Sequence, residues 1–382
     1  MTARIEWVAQ SCRLLSAISK EFGSTQPFAG LTIGTGIHLE PKTAALIMTL
    51  QKGGARIVST GNLNTTQQET VDYLSQRGID VIGGPTSDSD VHDKNLWKVL
   101  DAKPDLILDN GGDLFARYLE KPYDALRGGT EETTSGRARL VPLRDRLALP
   151  ILVINDSPIK QFAENRHAVG QSVLESYIRI TNRSTQGKHV VVFGYGACGQ
   201  GVAANFRNSF ALVTVVDTDP VKLLEACLDG FDVAARDAAL RRADVVITVT
   251  GARSVLTAAD IPLLRDDVVL MNAGHFPLEI DAPALLSDAA ITEITDATEG
   301  LQTLHTRDGR RLHLATGGHM ANLAGPRPLG NSIESMDLGF ALQARCLEAI
   351  AQGRVPAESV VVPVPRMIDE LVASAYLELV AG

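Results

Sequence analysis

The sequence has 382 residues, of which 45% are hydrophobic and 21% are charged, and its formal net charge is −9. Such a chain is long enough for two soluble domains of ordinary size. Its acidic balance, without a basic run, argues against nucleic acid or an anionic membrane as the main partner, because both bind clustered Lys and Arg. The four cysteines are scattered, with no CxxC and no histidine at metal-ligand spacing. This pattern is typical of free thiols in a reducing cytoplasm and predicts no metal site.

The first 160 residues alternate short β-branched runs with amphipathic stretches. They open on an amphipathic helix, MTARIEWVAQSCRLL, which has the pattern of neither a signal peptide nor a membrane span. Buried strands are predicted at LTIGTGI, ARIVST, IDVIGG, PDLILDN and LPILVIND. Helices are predicted between them at KTAALIMTLQK, TQQETVDYLSQRG and DVHDKNLWKVLDAK. This alternation predicts a mostly parallel sheet with helices on both faces.

A second alternating set occupies the rest of the chain. ENRHAVGQSVLESYIRITN is predicted to be a long connecting helix, followed by strands at HVVVFG, ALVTVVD, DVVITVTG and DVVLMNAG. Asp308-Gly309 lies between two alternating arms, which predicts a β-hairpin. NSIESMDLGFALQARCLEAIAQG and PRMIDELVASAYLELV are predicted helices. The expected fold class is α/β, with two doubly wound parallel-sheet domains.

A glycine-rich loop follows the strand HVVVFG and opens a helix. Gly194, Gly196 and Gly199 have the G-x-G-x-x-G spacing of a turn that brings the backbone close to a pyrophosphate at a helix N-terminus. Asp217 ends the next strand, 18 residues after Gly199, where a carboxylate can accept hydrogen bonds from ribose hydroxyls. Because an acid there repels a 2′-phosphate, the sequence predicts a Rossmann domain that binds NAD in preference to NADP.

Six segments resemble the S-adenosylhomocysteine hydrolase family, in its order and at roughly its spacing: GIHLEPKTA, LDNGGDL, GGTEETTSG, VINDSPIKQFAEN, GYGACGQG and NAGHFPLEID. The resemblance extends from about Phe28 to Leu377. It implies a discontinuous substrate-binding and catalytic domain, residues 1–160 and 331–382, and a Rossmann NAD-binding domain, residues 171–326, with a hinged cleft between them. It also implies a cytoplasmic homo-oligomer, a dimer or a tetramer, that acts on a small-molecule nucleoside.

The resemblance implies a reaction in which bound NAD transiently oxidises the 3′-hydroxyl of a ribonucleoside. The ketone acidifies the C4′ proton, the 5′ thiol leaves once that proton is removed, water adds, and the hydride is returned. Lys160 matches the lysine that takes the 3′-hydroxyl proton, and Glu132 matches the acid that holds the ribose hydroxyls. His38 and His275 match the histidines of proton transfer and water activation, and Glu164 replaces an aspartate at the ribose.

The resemblance also assigns positions to the cofactor and to the substrate. The cofactor-binding positions are Thr133, Thr134, Ser135, Asn165, Gly194, Gly196, Ala197, Cys198, Gly199, Asp217, Lys222, Thr250, Gly251, Ala273, Gly274 and Asn322. The substrate-binding positions are Glu40, Lys42, Gln67, Asn331 and Met336.

Several departures from the family pattern lie in the expected site. Asn110 stands where the family has a catalytic aspartate, and an amide cannot accept a proton as a base. Asp109 is a poor substitute, because neighbours at a strand end point to opposite sides. Glu40 and Lys42 stand where the family has Thr and Glu or Gln, and Asn331 replaces a histidine that contacts adenine. A cationic donor in place of an acceptor disfavours adenine and suits a carbonyl-bearing or differently shaped group.

The family also has a C-terminal tail that brings a Lys and a Tyr to the NAD site of the neighbouring subunit. No matching tail follows in this sequence, so we expect NAD to exchange more readily than in the tailed members.

Three functions are compatible with these residues. The first is an NAD-dependent adenosylhomocysteine hydrolase-like enzyme acting on S-adenosylhomocysteine or a related nucleoside. The second is an NAD-dependent nucleoside 3′-oxidoreductase or epimerase without 5′ elimination, which Asn110 would allow. The third is a non-catalytic, NAD-binding regulatory homologue. Retention of Lys160, Glu132, His38 and His275 argues against the third function, because a binding module does not need all four.

Overall fold

The computed structural model describes residues 2–275 and 277–381. The chain divides into two compact units. The first unit extends to Gln161 and resumes at Ile333, and the second runs from Phe162 to Ser332. Each unit contains one sheet.

The strands are short, and most are rich in β-branched residues, which favour the extended backbone. In chain order they are β1 (Thr32–Ile37), β2 (Arg56–Gly61), β3 (Asp80–Ile82), β4 (Leu106–Asp109), β5 (Gly128–Glu131), β6 (Ile151–Val153), β7 (His189–Phe193), β8 (Leu212–Val216), β9 (Asp232–Val233), β10 (Val245–Thr248), β11 (Val268–Asn272), β12 (Ile291–Thr298), β13 (Leu301–Thr306), β14 (Arg311–Ala315) and β15 (Val362–Pro363). Each strand predicted from the sequence is confirmed.

The predicted helices are confirmed as well, although the first of them is interrupted at Cys12. In chain order the helices are α1 (Thr2–Ser11), α2 (Arg13–Thr25), α3 (Pro41–Lys52), α4 (Gln68–Ser75), α5 (Ser89–Asp101), α6 (Asp113–Tyr118), α7 (Thr134–Leu140), α8 (Val169–Thr181), α9 (Ala197–Asn208), α10 (Pro220–Leu228), α11 (Arg236–Leu240), α12 (Ala282–Ser287), α13 (Ile333–Ala351) and α14 (Arg366–Ala381). Within the described residues, no helix has the length and apolar character needed to cross a membrane.

The sheet of the first unit has the order β15-β6-β5-β4-β1-β2-β3. All neighbouring strands in it are parallel. β1 continues to β2 and β3 on one side, and the chain returns to β4 on the other, so the strand order reverses between β1 and β4. β5 was not predicted, because Gly-Gly-Thr-Glu contains no β-branched run. The packing explains the glycines, since a Cβ on Gly129 would lie 1.9 Å from the carbonyl oxygen of Ile107.

The sheet of the second unit has the order β12-β13-β14-β11-β10-β7-β8-β9. Strands β7 to β11 and β14 pair in parallel, with a reversal of strand order between β7 and β10. This is the arrangement of a Rossmann fold. The predicted hairpin is confirmed, because β13 and β14 are antiparallel on either side of Asp308-Gly309. The hairpin makes one edge of the sheet mixed rather than wholly parallel.

The predicted connecting helix has two parts. Its first part, Lys160–Ala168, is a π-helix, and α8 continues it as an ordinary α-helix. π-helical turns are rare and occur most often at functional sites. The sequence shows helical periodicity here but not the wider turn, which has no composition signal of its own.

Candidate functional site

The carboxyl ends of the strands of the first sheet carry most of the predicted catalytic residues. His38 follows β1, Asn110 follows β4, and Glu132 follows β5. They lie at the same edge because the strands are parallel, and they flank the reversal of strand order, where open α/β sheets bind ligands. Lys160 follows β6 and begins the π-helix.

A chain of hydrogen bonds joins three of these residues to Asn62, which follows β2. Nδ2 of Asn62 donates to Oδ1 of Asn110 at 3.0 Å. Nδ2 of Asn110 donates to Oε2 of Glu132 at 2.7 Å. Nζ of Lys160 lies 3.4 Å from Oε1 of Glu132. These four residues, here called the polar chain, are all buried, with at most 8% of each exposed.

The imidazole of His38 is held by a residue that the sequence did not single out. Nδ1 of His38 lies 2.6 Å from Oγ1 of Thr65, and the Thr65 hydroxyl also lies 3.4 Å from the backbone carbonyl of Asn62. When that hydroxyl donates to the carbonyl, it accepts from Nδ1–H, and Nε2 is then the basic nitrogen of the ring. Asn62 and Thr65 follow a strand end just as Asn110 does, and this shared position is the signal that could have found them.

Two more carboxyl groups lie one residue before Asn110 and Glu132, at paired positions of β4 and β5. Asp109 accepts the backbone N–H groups of Asn110 and of Leu114 and Phe115 in the first turn of α6, at 2.9–3.0 Å. Glu131 accepts those of the preceding glycine turn and of Thr133, at 2.7–3.1 Å. Burial raises the pKa of both groups, and repulsion from Asp109 raises that of Glu131 further. The pair fixes the backbone that carries the polar chain.

Glu40 and Lys42 form a buried ion pair at the start of α3. Nζ of Lys42 lies 2.8 Å from Oε2 of Glu40, and each side chain is 5% exposed. Buried charges of this kind are tolerated because they are paired. Gln67 lies beside the same loop, since its backbone N–H donates to the carbonyl of Leu39 at 2.8 Å. Met336 is buried in the first turn of α13.

The hydroxyl groups between β5 and α7 are engaged within the first unit. Thr133 is the N-cap of α7, and its hydroxyl donates to Oε1 of Glu131 at 2.8 Å. Oγ1 of Thr134 donates to Oδ1 of Asn155 at 2.9 Å. Oγ of Ser135 lies 3.0 Å from Oγ1 of Thr133. Contact of these hydroxyls with the cofactor stays a prediction.

The glycine-rich loop lies between β7 and α9 in the second unit. Gly194 has a φ of +99°, in the left-handed region that glycine adopts readily. A Cβ on Gly199 would lie 2.0 Å from the carbonyl oxygen of Gly194, so the turn closes only with glycine there. Gly196 is the N-cap of α9, and Ala197 and Cys198 form its first turn. Because a glycine cap has no side chain to bond the first N–H groups, this helix end suits a pyrophosphate.

Asp217 is fixed against this loop. Its Oδ2 accepts the N–H of Tyr195 at 2.7 Å, and its Oδ1 accepts that of Asp219 at 2.9 Å. Lys222 pairs with Glu225 at 2.7 Å, so its charge is compensated locally. The carboxylate at the end of β8 therefore favours the hydroxyls of an unphosphorylated ribose.

A buried acid that the sequence analysis missed holds the loop after β10. Oε2 of Glu279 accepts the N–H of Thr250, and its Oε1 accepts that of Gly251, both at 2.8 Å. Ala273 and Gly274 follow β11, and a Cβ on Gly274 would lie 1.7 Å from Oε1 of Glu279. Glu279 thus positions two loops that carry predicted cofactor residues, and its place in NAGHFPLEID is the signal that could have revealed it.

Ser172 of α8 joins two predicted asparagines in the second unit. Its Oγ accepts from Nδ2 of Asn322 at 3.0 Å and lies 3.0 Å from Oδ1 of Asn331. Oδ1 of Asn322 is buried and has no hydrogen-bond partner among the described residues, which fits a donor group of a bound cofactor. The expected boundary placed Asn331 with the first unit, but it lies in the second unit. There its side chain is held by Ser172 of α8.

Three predicted residues lie in the second unit, two on the π-helix and one in the turn after β11. Glu164 and Asn165 are buried on the π-helix. His275 is half-buried in the turn after β11. Their contacts with ribose, cofactor or water stay predictions.

Two family models match separate segments of the chain, and curated relatives match nearly all of it. Residues 165–327 match the model "S-adenosyl-L-homocysteine hydrolase, NAD binding domain", and residues 3–122 match "S-adenosyl-L-homocysteine hydrolase". The adenosylhomocysteinase of Thermotoga maritima is 39% identical over 98% of this chain and 93% of its own length. S-inosyl-L-homocysteine hydrolases are 40% identical in Methanopyrus kandleri and 35% in Methanothermobacter thermautotrophicus, over 98% of this chain and 89% and 90% of theirs.

The NAD-binding model spans the glycine-rich loop and Asp217, whose geometry fits a dinucleotide, so NAD is the cofactor. The relatives are named as hydrolases, and the alignments cover 98% of this chain. This protein is therefore an NAD-dependent enzyme that belongs to the S-adenosyl-L-homocysteine hydrolase family.

Proposed function

We propose that the protein hydrolyses the thioether of an S-nucleosyl-L-homocysteine and prefers S-inosyl-L-homocysteine to S-adenosyl-L-homocysteine. The observation that carries the proposal is the buried Glu40–Lys42 ion pair. An ammonium group only donates hydrogen bonds, so it complements the O6 acceptor of hypoxanthine and opposes the 6-amino donor of adenine. The near-equal identities to an adenosylhomocysteinase and to an S-inosyl-L-homocysteine hydrolase support the S-nucleosyl-L-homocysteine class, and the choice of base rests on the ion pair.

The polar chain and His38 supply the proton transfers that the reaction needs. When bound, NAD supplies a reversible hydride acceptor for the ribose. Lys160, in its neutral amine form, accepts the proton of the 3′-hydroxyl, and Glu132, 3.4 Å away, stabilises the ammonium that forms. His38 then accepts the C4′ proton through Nε2, which allows homocysteine to leave. His275 activates the water that replaces it. Water is consumed, and inosine and L-homocysteine are released.

The base preference can be measured directly. Wild-type protein loaded with NAD is assayed for thiol release from S-inosyl-L-homocysteine and S-adenosyl-L-homocysteine. We expect kcat/KM to be about tenfold to a hundredfold higher for the inosyl compound, since a mismatched hydrogen-bonding pair costs about 1–3 kcal/mol. A higher kcat/KM for the adenosyl compound would contradict the proposal.

A paired exchange tests whether the ion pair is responsible. The double variant Glu40→Thr, Lys42→Glu carries residue types that the family uses with adenine, and we expect it to reverse the preference. Lys52→Gln is the matched control, because Lys52 is exposed at the far end of the same helix. An unchanged preference in the double variant would place base recognition elsewhere.

A further inference from the structure

The direction of the hydrogen bonds in the polar chain is set by its chemistry. An ionised Glu132 only accepts, so the group of Asn110 that faces it at 2.7 Å must be the amide NH₂. The carbonyl of the Asn110 amide then faces Asn62, whose NH₂ donates to it at 3.0 Å. An asparagine side chain satisfies both neighbours at once, whereas an aspartate can satisfy only Asn62.

The surroundings of Asn110 are already rich in carboxyl groups. Glu132 contacts the Asn110 side chain, and Asp109 and Glu131 lie at paired positions one residue earlier on β4 and β5. All three are at most 5% exposed. Lys160 is paired with Glu132. A further carboxylate at position 110 would face Glu132 at hydrogen-bond distance, where two ionised groups cannot coexist without one of them taking up a proton.

We infer that Asn110 is a positioning residue, which orients Glu132 by donating a hydrogen bond to it, and that it does not stand in for a proton-accepting aspartate. Asn62 sets the direction of that donation. Glu132 is therefore oriented so that its carboxylate oxygens can accept hydrogen bonds from the hydroxyls of a ribose. The inference rests on the proposed function only in naming the ribose as the ligand of Glu132.

The isosteric change Asn110→Asp distinguishes a positioning role for Asn110 from a need for a base at position 110. If position 110 needs a base, restoring the family's aspartate raises kcat. If Asn110 positions Glu132, we expect kcat with S-inosyl-L-homocysteine to fall at least tenfold at pH 7. The acidic limb of the pH profile should also move to higher pH, because the carboxyls at 110 and 132 share a proton that must be lost before Glu132 is ionised.

A matched control separates charge from misfolding. Asn95→Asp places an extra carboxylate at another buried asparagine of the first unit, outside the site, where 7% of the residue is exposed. It should lose stability without a shift in the pH profile of the folded protein. An equal shift in both variants, or a higher kcat in Asn110→Asp, would overturn the inference.

A measurement without turnover keeps the inference independent of the substrate. Stability to urea is compared for Asn110→Asp, Glu132→Gln and the double variant, in which the carboxylate and the amide have exchanged places. We expect each single change to destabilise the protein. Asn110→Asp sets two acceptors against each other, and Glu132→Gln turns an amide NH₂ toward Lys160 when its carbonyl accepts from Asn110. In the double variant the amide at position 132 donates to the carboxylate at position 110 and accepts from Lys160, so we expect it to recover at least half of the loss. Additive losses would overturn the inference. Failure of S-inosyl-L-homocysteine as a substrate, with this recovery present, would overturn only the proposed function.

Discussion

Asp217 shows how one side chain can serve the fold and a ligand together. Both carboxylate oxygens accept backbone N–H groups at 2.7 and 2.9 Å, and these bonds hold the glycine-rich loop next to the end of β8. Each oxygen retains a second lone pair for a ribose hydroxyl. A negative charge that accepts ribose hydroxyls also repels a phosphate at the same place, so we expect cofactor choice to depend on this residue more than on Lys222, which is paired with Glu225.

Asp217→Asn should narrow the preference for NAD over NADP. The change removes the negative charge and keeps the shape, so we expect the ratio of the two dissociation constants to move toward NADP by about tenfold, equivalent to about 1.4 kcal/mol. Calorimetric titration of both dinucleotides measures it. Asp237→Asn, an exposed change in the same unit, serves as the control. An unaltered ratio in Asp217→Asn would remove Asp217 from cofactor selection.

At the scale of elements, α2 depends on a cap from a distant part of the sequence. Its N-cap residue, Cys12, makes no side-chain hydrogen bond to the helix. Instead, the carboxylate of Asp337 on α13 accepts the N–H groups of Leu14 and Leu15 at 2.7 and 2.9 Å. The first turn of α2 is therefore completed by a tertiary contact, which ties the N-terminal helices to α13.

Asp337→Ala should destabilise the protein by about 0.5–2 kcal/mol, the usual cost of losing a cap. Burial raises the pKa of Asp337 to about 6, against about 3.9 for an unfolded aspartate. Between these pH values the folded state binds more protons than the unfolded state. The contribution of Asp337 to the free energy of unfolding therefore falls as pH rises through this interval and is constant above it. Urea unfolding at several pH values measures both effects. Glu378→Ala, an exposed change in α14 of the same unit, is the control, and an equal loss there would refute the capping role.

At the scale of the whole molecule, the parallel strands of each sheet reverse their order once, and each reversal lies beside one set of predicted site residues. The first sheet presents the polar chain and His38 at the reversal between β1 and β4. The second presents the glycine-rich loop at the reversal between β7 and β10. Parallel strands force this outcome, because their carboxyl ends meet at one edge and leave a crevice where the connections diverge.

Hydrogen exchange should therefore distinguish the two ligands. NAD alone is expected to slow exchange of the backbone amides at residues 194–199 and 250–251, and inosine to slow it at the ends of β4 and β5, at residues 109–112 and 131–133. Mass spectrometry of peptides from the protein with each ligand makes the comparison. Protection of residues 109–112 by NAD, with no change at 194–199, would contradict the assignment of the cofactor to the second sheet.

Local signals in the sequence were sufficient for most of the architecture. β-Branched runs, helical periodicity and Asp308-Gly309 identified the predicted strands, the helices and the hairpin, because each pattern reflects the burial or the turn geometry of its own segment. The spacing of Gly194, Gly196 and Gly199 with Asp217 likewise predicted a loop suited to NAD, since phosphate binding at a helix N-terminus is a property of a short stretch of backbone. β5 was not predicted, because its glycines are required by close packing against a neighbouring strand and not by any local conformational preference.

The residues that complete the site were decided by tertiary structure alone. Asn62 lies 48 positions from Asn110, and Asn110 lies 22 from Glu132, yet strand order places their side chains within 3.0 Å. Asp337 caps a helix 323 positions earlier. No local pattern encodes these pairs, because a polar group is satisfied by whichever partner the packed sheet brings near. The sequence by itself determined which segments fold and which cofactor they bind, and only the assembled sheets decided how Asn110 and Glu132 are oriented.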